Sequence, residues 1–141
     1  MIHVSQKNLD KSYRHLKQEC QKNLSGSNAK LLLFLYAIEC GIKALLLKRK
    51  NIKDTFKLLQ NEGTGSLSHD LRFLLTQLHS PHHLPENFQF QTRSKANETV
   101  SMIDLHQALR YGGTFHIQEE KNKLEIKLKK IDSWLQEALV L

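Results

Sequence analysis

The sequence predicts an all-α fold: an up-and-down bundle of four to five helices, forming one domain over residues 1–141. Three observations carry this reading. Apolar residues recur at helical spacing in several separated segments. One of these, "LLLFLYAIECGIKALLLKRK" at 31–50, is apolar nearly all round and suits a central helix. The turn-forming stretches "SGSN", "NEGTGS" and "RYGG" then punctuate the chain, with one weak hint of extended structure between them. A chain of this length buries about two-thirds of its unfolded surface, enough for a single core.

The first helix is predicted over 4–24, where Leu9, Tyr13, Leu16, Cys20 and Leu24 form a stripe among lysines and glutamines. Ser27 or Asn28 can cap the second, which runs to about Arg49, where Lys48, Arg49 and Lys50 suit the negative end of the helix dipole. Residues 54–61 can add two turns. A third helix carries Leu67, Leu71, Leu74, Leu75 and Leu78 on one face and is ended by Pro81. From 80 to 96 runs an irregular segment in which the alternation of "NFQFQTR" fits a short extended piece. Residues 97–110 return to helix, with Met102, Leu105 and Leu109 inward. Gly112 and Gly113 reverse the chain, and a last helix is expected from about Phe115, capped by Thr114, with Leu124, Leu128, Ile131, Leu135 and Ala138 as its stripe.

The charge of +7, from 21 Lys and Arg against 14 Asp and Glu, leans toward a polyanion, with nucleic acid ahead of membrane. Two cysteines in apolar helical settings fit a reducing, cytoplasmic compartment better than a disulfide framework. The N-terminus has no apolar signal core, and the 31–47 run holds Glu39, Gly41 and Lys43 near its centre, against a membrane span. A metal reading of "HSPHHL" lacks a fourth ligand, so neither metal nor other cofactor is expected.

Glu39 and Lys43 are the anomaly of the central helix, because an unpaired charge in such surroundings costs several kcal/mol. Their i, i+4 order allows an ion pair, or they support a site or subunit interface. With antiparallel neighbours, Glu39, Lys43, His69, Arg110 and His116 lean toward one end of the bundle. An arginine offers a fork of donors to phosphate, and a histidine can move a proton near neutrality. Arg110 and His116 together could therefore cleave RNA without metal, the ribose 2′-hydroxyl attacking while arginine stabilises the crowded phosphate. Spacing alone favours the plainer alternative of a helix-capping arginine and an exposed first-turn histidine. Phe88 and Phe90, beside Arg93 and Lys95, either stack bases and hold RNA phosphates or staple the loop to the bundle.

"AIECGIKALLLKR", "HDLRFLL" and "LRYGGTFH" together resemble the HEPN superfamily of small helical bundles, across roughly residues 5–138. Members share a signature of Arg, four to six residues, then His, which Arg110 and His116 meet with five between. The resemblance implies a metal-independent endoribonuclease, a toxin or antiphage defence effector, whose Arg110 and His116 act at a homodimer interface with Glu39 and Lys43 in support; His69 joins them as a pocket residue by its placement at the same end of the bundle. It also implies an antitoxin or nucleotidyltransferase partner. Tyr111, directly after Arg110, resembles instead the Arg-Tyr ending of members that bind a nucleotide or accompany a nucleotidyltransferase without cutting RNA.

Overall fold

The structure is a computed structural model that describes residues 5–21, 27–51, 70–92 and 94–140. Five helices are described: α1 (Gln6–Gln21), α2 (Ser27–Arg49), α3 (Leu71–Gln77), α4 (Leu105–Arg110) and α5 (Gln118–Val140). Three strands lie among them: β1 (Asn87–Gln91), β2 (Glu98–Ser101) and β3 (Thr114–Phe115). The strands form an antiparallel sheet in the order β2-β1-β3.

The fold is therefore mixed α/β, and the expected all-α up-and-down bundle is overturned. So is the resemblance to the HEPN superfamily, with its description as an all-helical ribonuclease, because a sheet is interleaved where that bundle would run helix to helix. Two local errors account for the difference. The segment 97–110 is not one helix: Thr99 and Val100 are β-branched and pair with Gln89 and Phe88, leaving only Leu105–Arg110 helical. The last helix begins at Gln118, since Thr114 and Phe115 pair with Gln91 and Phe90 first. The expected helix over 54–61, together with His69 and Arg93, lies outside the described residues.

α2 is central. Leu31, Leu35, Ile38, Ile42, Leu45 and Leu47 are all buried, and α1 and α5 close over it with Leu9, Tyr13, Leu124, Leu128, Ile131 and Leu135. Each such side chain contributes about 1.5–3 kcal/mol by leaving water. At Gly41 the three helices pack tightly: an added Cβ would stand 3.0 Å from Leu135 Cδ1 and 3.1 Å from Tyr13 Cδ1. The Tyr13 hydroxyl donates to the Asp132 carboxylate, which also meets Lys17 at 3.0 Å, so the α1–α5 seam carries its own satisfied polar lock.

α2 and α5 run in the same direction, contrary to the antiparallel expectation. Asn28 Nδ2 near the start of α2 donates to the Gly113 carbonyl just before α5 at 3.0 Å, and Lys48 Nζ near the end of α2 donates to the Leu139 carbonyl at 2.6 Å. The intervening chain makes this possible by returning through α3 and the sheet. Asp70 caps α3, accepting from the Arg72 and Phe73 amides. His79, at φ 54°, ends that segment before Pro81 is reached.

The sheet is anchored by its alternation. Phe88 and Phe90 point into the core, fully buried, while Asn87 and Gln91 are exposed. Phe115 packs on both rings, at centroid distances of 5.7 and 4.5 Å. The two phenylalanines therefore staple the segment to the helices and have no face open to a base. Beyond the short β3, the Gln89 amide donates to the Glu120 carboxylate at 2.9 Å, and the Gln89 carbonyl accepts from the His116 amide at 2.8 Å.

Candidate functional site

Between α2, the start of α3 and α4 lies an open cleft of about 500 Å³. Its polar groups are Tyr36 and Glu39 from α2 and Asp104, His106, Gln107 and Arg110 from α4 and the turn before it. Its apolar lining includes Leu35, Leu71 and Met102, all buried.

Helical periodicity explains why these side chains meet. Tyr36 and Glu39 are three residues apart, and His106 and Arg110 four, so each pair occupies one face of its helix. Leu105 and Leu109 on α4 are buried, which turns the neighbouring His106 and Arg110 toward the opening. Arg110 Nη2 donates to the Tyr36 hydroxyl at 2.7 Å. That bond pushes the guanidinium pKa further up, with a smaller contribution from a hydrogen bond involving Tyr111, so Arg110 is a fixed cation at every working pH. The Tyr36 and His106 rings lie 6.4 Å apart at 55°, a tilted aromatic pair beside the guanidinium.

Glu39 is ion-paired with Lys43 at 3.1 Å, and Lys43 is only 8% exposed. The pair lets α2 carry a carboxylate at the cleft without leaving a lysine uncompensated in the core. Between them in sequence, Cys40 is a free, part-buried thiol, and burial with the adjacent Glu39 charge pushes its pKa up. A thiol held protonated is a poor nucleophile.

The residues read from the sequence divide spatially. Arg110 and Glu39 line the cleft, while Lys43 stands behind Glu39. His116 does not line it: its Nδ1 is 3.1 Å from Gln91 Nε2, at the end of β1. Tyr111 caps the end of α4 and is 72% exposed. Lys95 is exposed in the β1–β2 connection, where its amide donates to the Thr92 hydroxyl at 3.3 Å. Tyr36, Asp104, His106 and Gln107 are polar cleft residues that the sequence reading missed, and Tyr36 and His106 are the two beside the guanidinium. A Tyr three residues before Glu39 and a His four residues before Arg110 were the available signals, and neither distinguishes a cleft from an ordinary helix face.

Among the described residues, no group of three or more His, Cys, Asp and Glu side chains is arranged to hold a metal ion. No helix among them is long and apolar enough to cross a membrane. The chain matches no family model, no curated protein and no solved structure.

Proposed function

We propose that this cleft binds a nucleotide through its phosphate, with Arg110 as the phosphate-holding group and the Tyr36–His106 pair beside the base or sugar. The observation that carries the reading is the Arg110–Tyr36 bond at the mouth of a cleft with apolar lining. It orients a permanent cation while leaving most of its fork of donors for a ligand. The volume is within the range of about 300–1,000 Å³ common for small-molecule sites.

The test is calorimetric titration of the four ribonucleoside monophosphates at low salt in EDTA. Binding is expected, and Arg110→Gln weakens it by roughly 10- to 100-fold, as expected for a lost hydrogen bond to a charged group. Titrations without heat or saturation for all four nucleotides overturn the reading.

A second reading, metal-independent RNA cleavage by a toxin or defence effector, is favoured by one observation: a histidine, His106, shares the cleft with Arg110. An imidazole takes the proton of a ribose 2′-hydroxyl, that oxygen attacks phosphorus, and the bond to the 5′-oxygen breaks. The departing oxygen regains a proton, leaving a 2′,3′-cyclic phosphate and a 5′-hydroxyl. His116 serves the same step only if a second copy of the chain carries it to the Arg110 cleft. RNA incubated in EDTA with wild type, His106→Ala and His116→Ala separates these routes. Absence of cutting by wild type removes the second reading and leaves the first.

A further inference from the structure

A second surface lies away from the cleft, on the outer side of α5. Lys123, Lys127 and Lys130 are all exposed and follow one another at i, i+4 and i+7, so their side chains project along one line of the helix. At a rise of about 1.5 Å per residue the row spans roughly 10 Å. Ile126, 53% exposed, lies beside it. One turn further on the same side comes Trp134, partly exposed, with the Arg49 guanidinium 5.5 Å over its ring and the His82 ring edge-on at 6.5 Å. Arg49 is exposed and held in place by donating to the Leu78 carbonyl at 2.6 Å. Of the acidic residues on this side of α5, Glu119 pairs with Lys123 at 3.5 Å, the Glu120 carboxylate accepts from the Gln89 amide, and Glu137 lies beyond Trp134.

We propose that this row, from Lys123 through Lys130 to the Arg49-covered Trp134, is a docking rail for the backbone of single-stranded RNA. The argument is charge complementarity. Three exposed cations along one side of a helix meet the continuous line of phosphates that a single strand presents. The apolar Ile126 and the indole edge supply contacts for sugars and bases that a purely electrostatic surface lacks. The rail is independent of what the cleft binds. Cleft and rail project from separate elements, Arg110 from α4 and the lysines from α5.

Trp134 is the sole tryptophan, so its fluorescence reports on the rail directly. The experiment titrates the chain with a single-stranded RNA of roughly 12 nucleotides, a length ample to cover such a row, at several potassium chloride concentrations. Three lysines on three phosphates predict a slope of log K against log salt of about −2, a loss of roughly twentyfold between about 50 and about 200 mM. Lys127→Gln with Lys130→Gln reduces the slope to about −0.7 and leaves mononucleotide binding in the cleft unchanged. Lys7→Gln with Lys11→Gln on α1 removes the same net charge and leaves the slope as it was. The proposal fails if the α1 pair weakens RNA binding as much as the α5 pair, or if the α5 pair changes nothing. It fails equally if wild type ignores RNA but binds vesicles of phosphatidylserine. A cleft that proves empty of nucleotide has no bearing on these outcomes.

Discussion

The α1–α2–α5 layer and the segment from β1 to β3 use polar groups in opposite ways. In the helical layer, Tyr13, Lys17, Gln136 and Asp132 satisfy one another, and Lys43 is spent on Glu39. In the strand-and-helix segment, Arg110 is held chiefly through the Tyr36 hydroxyl and left exposed, with His106 beside it at an open cleft. A closed polar network adds stability and specificity to packing, whereas an unclosed one keeps donors available for a ligand. The contrast marks the candidate site better than the count of charges does: the helical layer is the more lysine-rich, yet the cleft is built on α4.

The strongest way to break the contrast is to remove the sheet's anchor. Phe90→Ala deletes a fully buried ring packed on Phe115 and is expected to cost about 3–5 kcal/mol, read from urea unfolding. If the sheet were a loosely attached appendage, helical circular dichroism would unfold at the wild-type midpoint, and the two regions would have to be treated as separate units.

Gly113→Ala comes next. Its Cβ would stand 2.9 Å from the Ala108 carbonyl oxygen and 3.1 Å from Phe90 Cδ2, so α4 must move against β1. About 1–3 kcal/mol of stability is expected to be lost. Nucleotide binding should fall with it, because the Ala108 carbonyl that must give way belongs to α4, the helix that carries His106 and Arg110.

Tyr13→Phe sharpens the other side. Burial and the hydrogen bond to Asp132 push the Tyr13 phenol well above its ordinary pKa. Below about pH 10 the phenol is neutral in both folded and unfolded chains, and its contribution is fully present. Above that value the unfolded chain ionises it while the folded chain does not, so stability falls as pH rises. The variant should lose about 0.5–1.5 kcal/mol at neutral pH and show a flatter alkaline limb in thermal melts between pH 9 and 11. An unchanged alkaline limb would mean that the α1–α5 lock does not form. A comparable effect is expected for Asp70→Ala, which removes the cap of α3 at the edge of the cleft. A loss of about 1 kcal/mol is expected in the same melts, with the cleft's affinity retained.

The helical layer was legible because its evidence is local and repeated. Leu124, Leu128, Ile131 and Leu135 mark the buried face of α5 without reference to anything else in the chain. The sheet was not, because its evidence is pairing. "ETVS" and "TF" are too short to show a period, and each becomes a strand only by meeting "NFQFQ" from elsewhere in the chain. The alternation in "NFQFQ" was visible, but its partners were not. The same holds for the cleft. Arg110 could be singled out by its chemistry, yet Tyr36, which holds it, is 74 residues away, and only the return of the chain across α2 joins them.

That return gives assembly an order. α1 and α2 are close in sequence and can associate early, while β3 must find β1 after the chain has passed through β2 and α4. The arginine reaches its tyrosine only when α4 has been brought back onto α2. A cognate small molecule would then act as a clasp on the final stage of folding, and its presence during refolding should favour finished molecules over nearly finished ones.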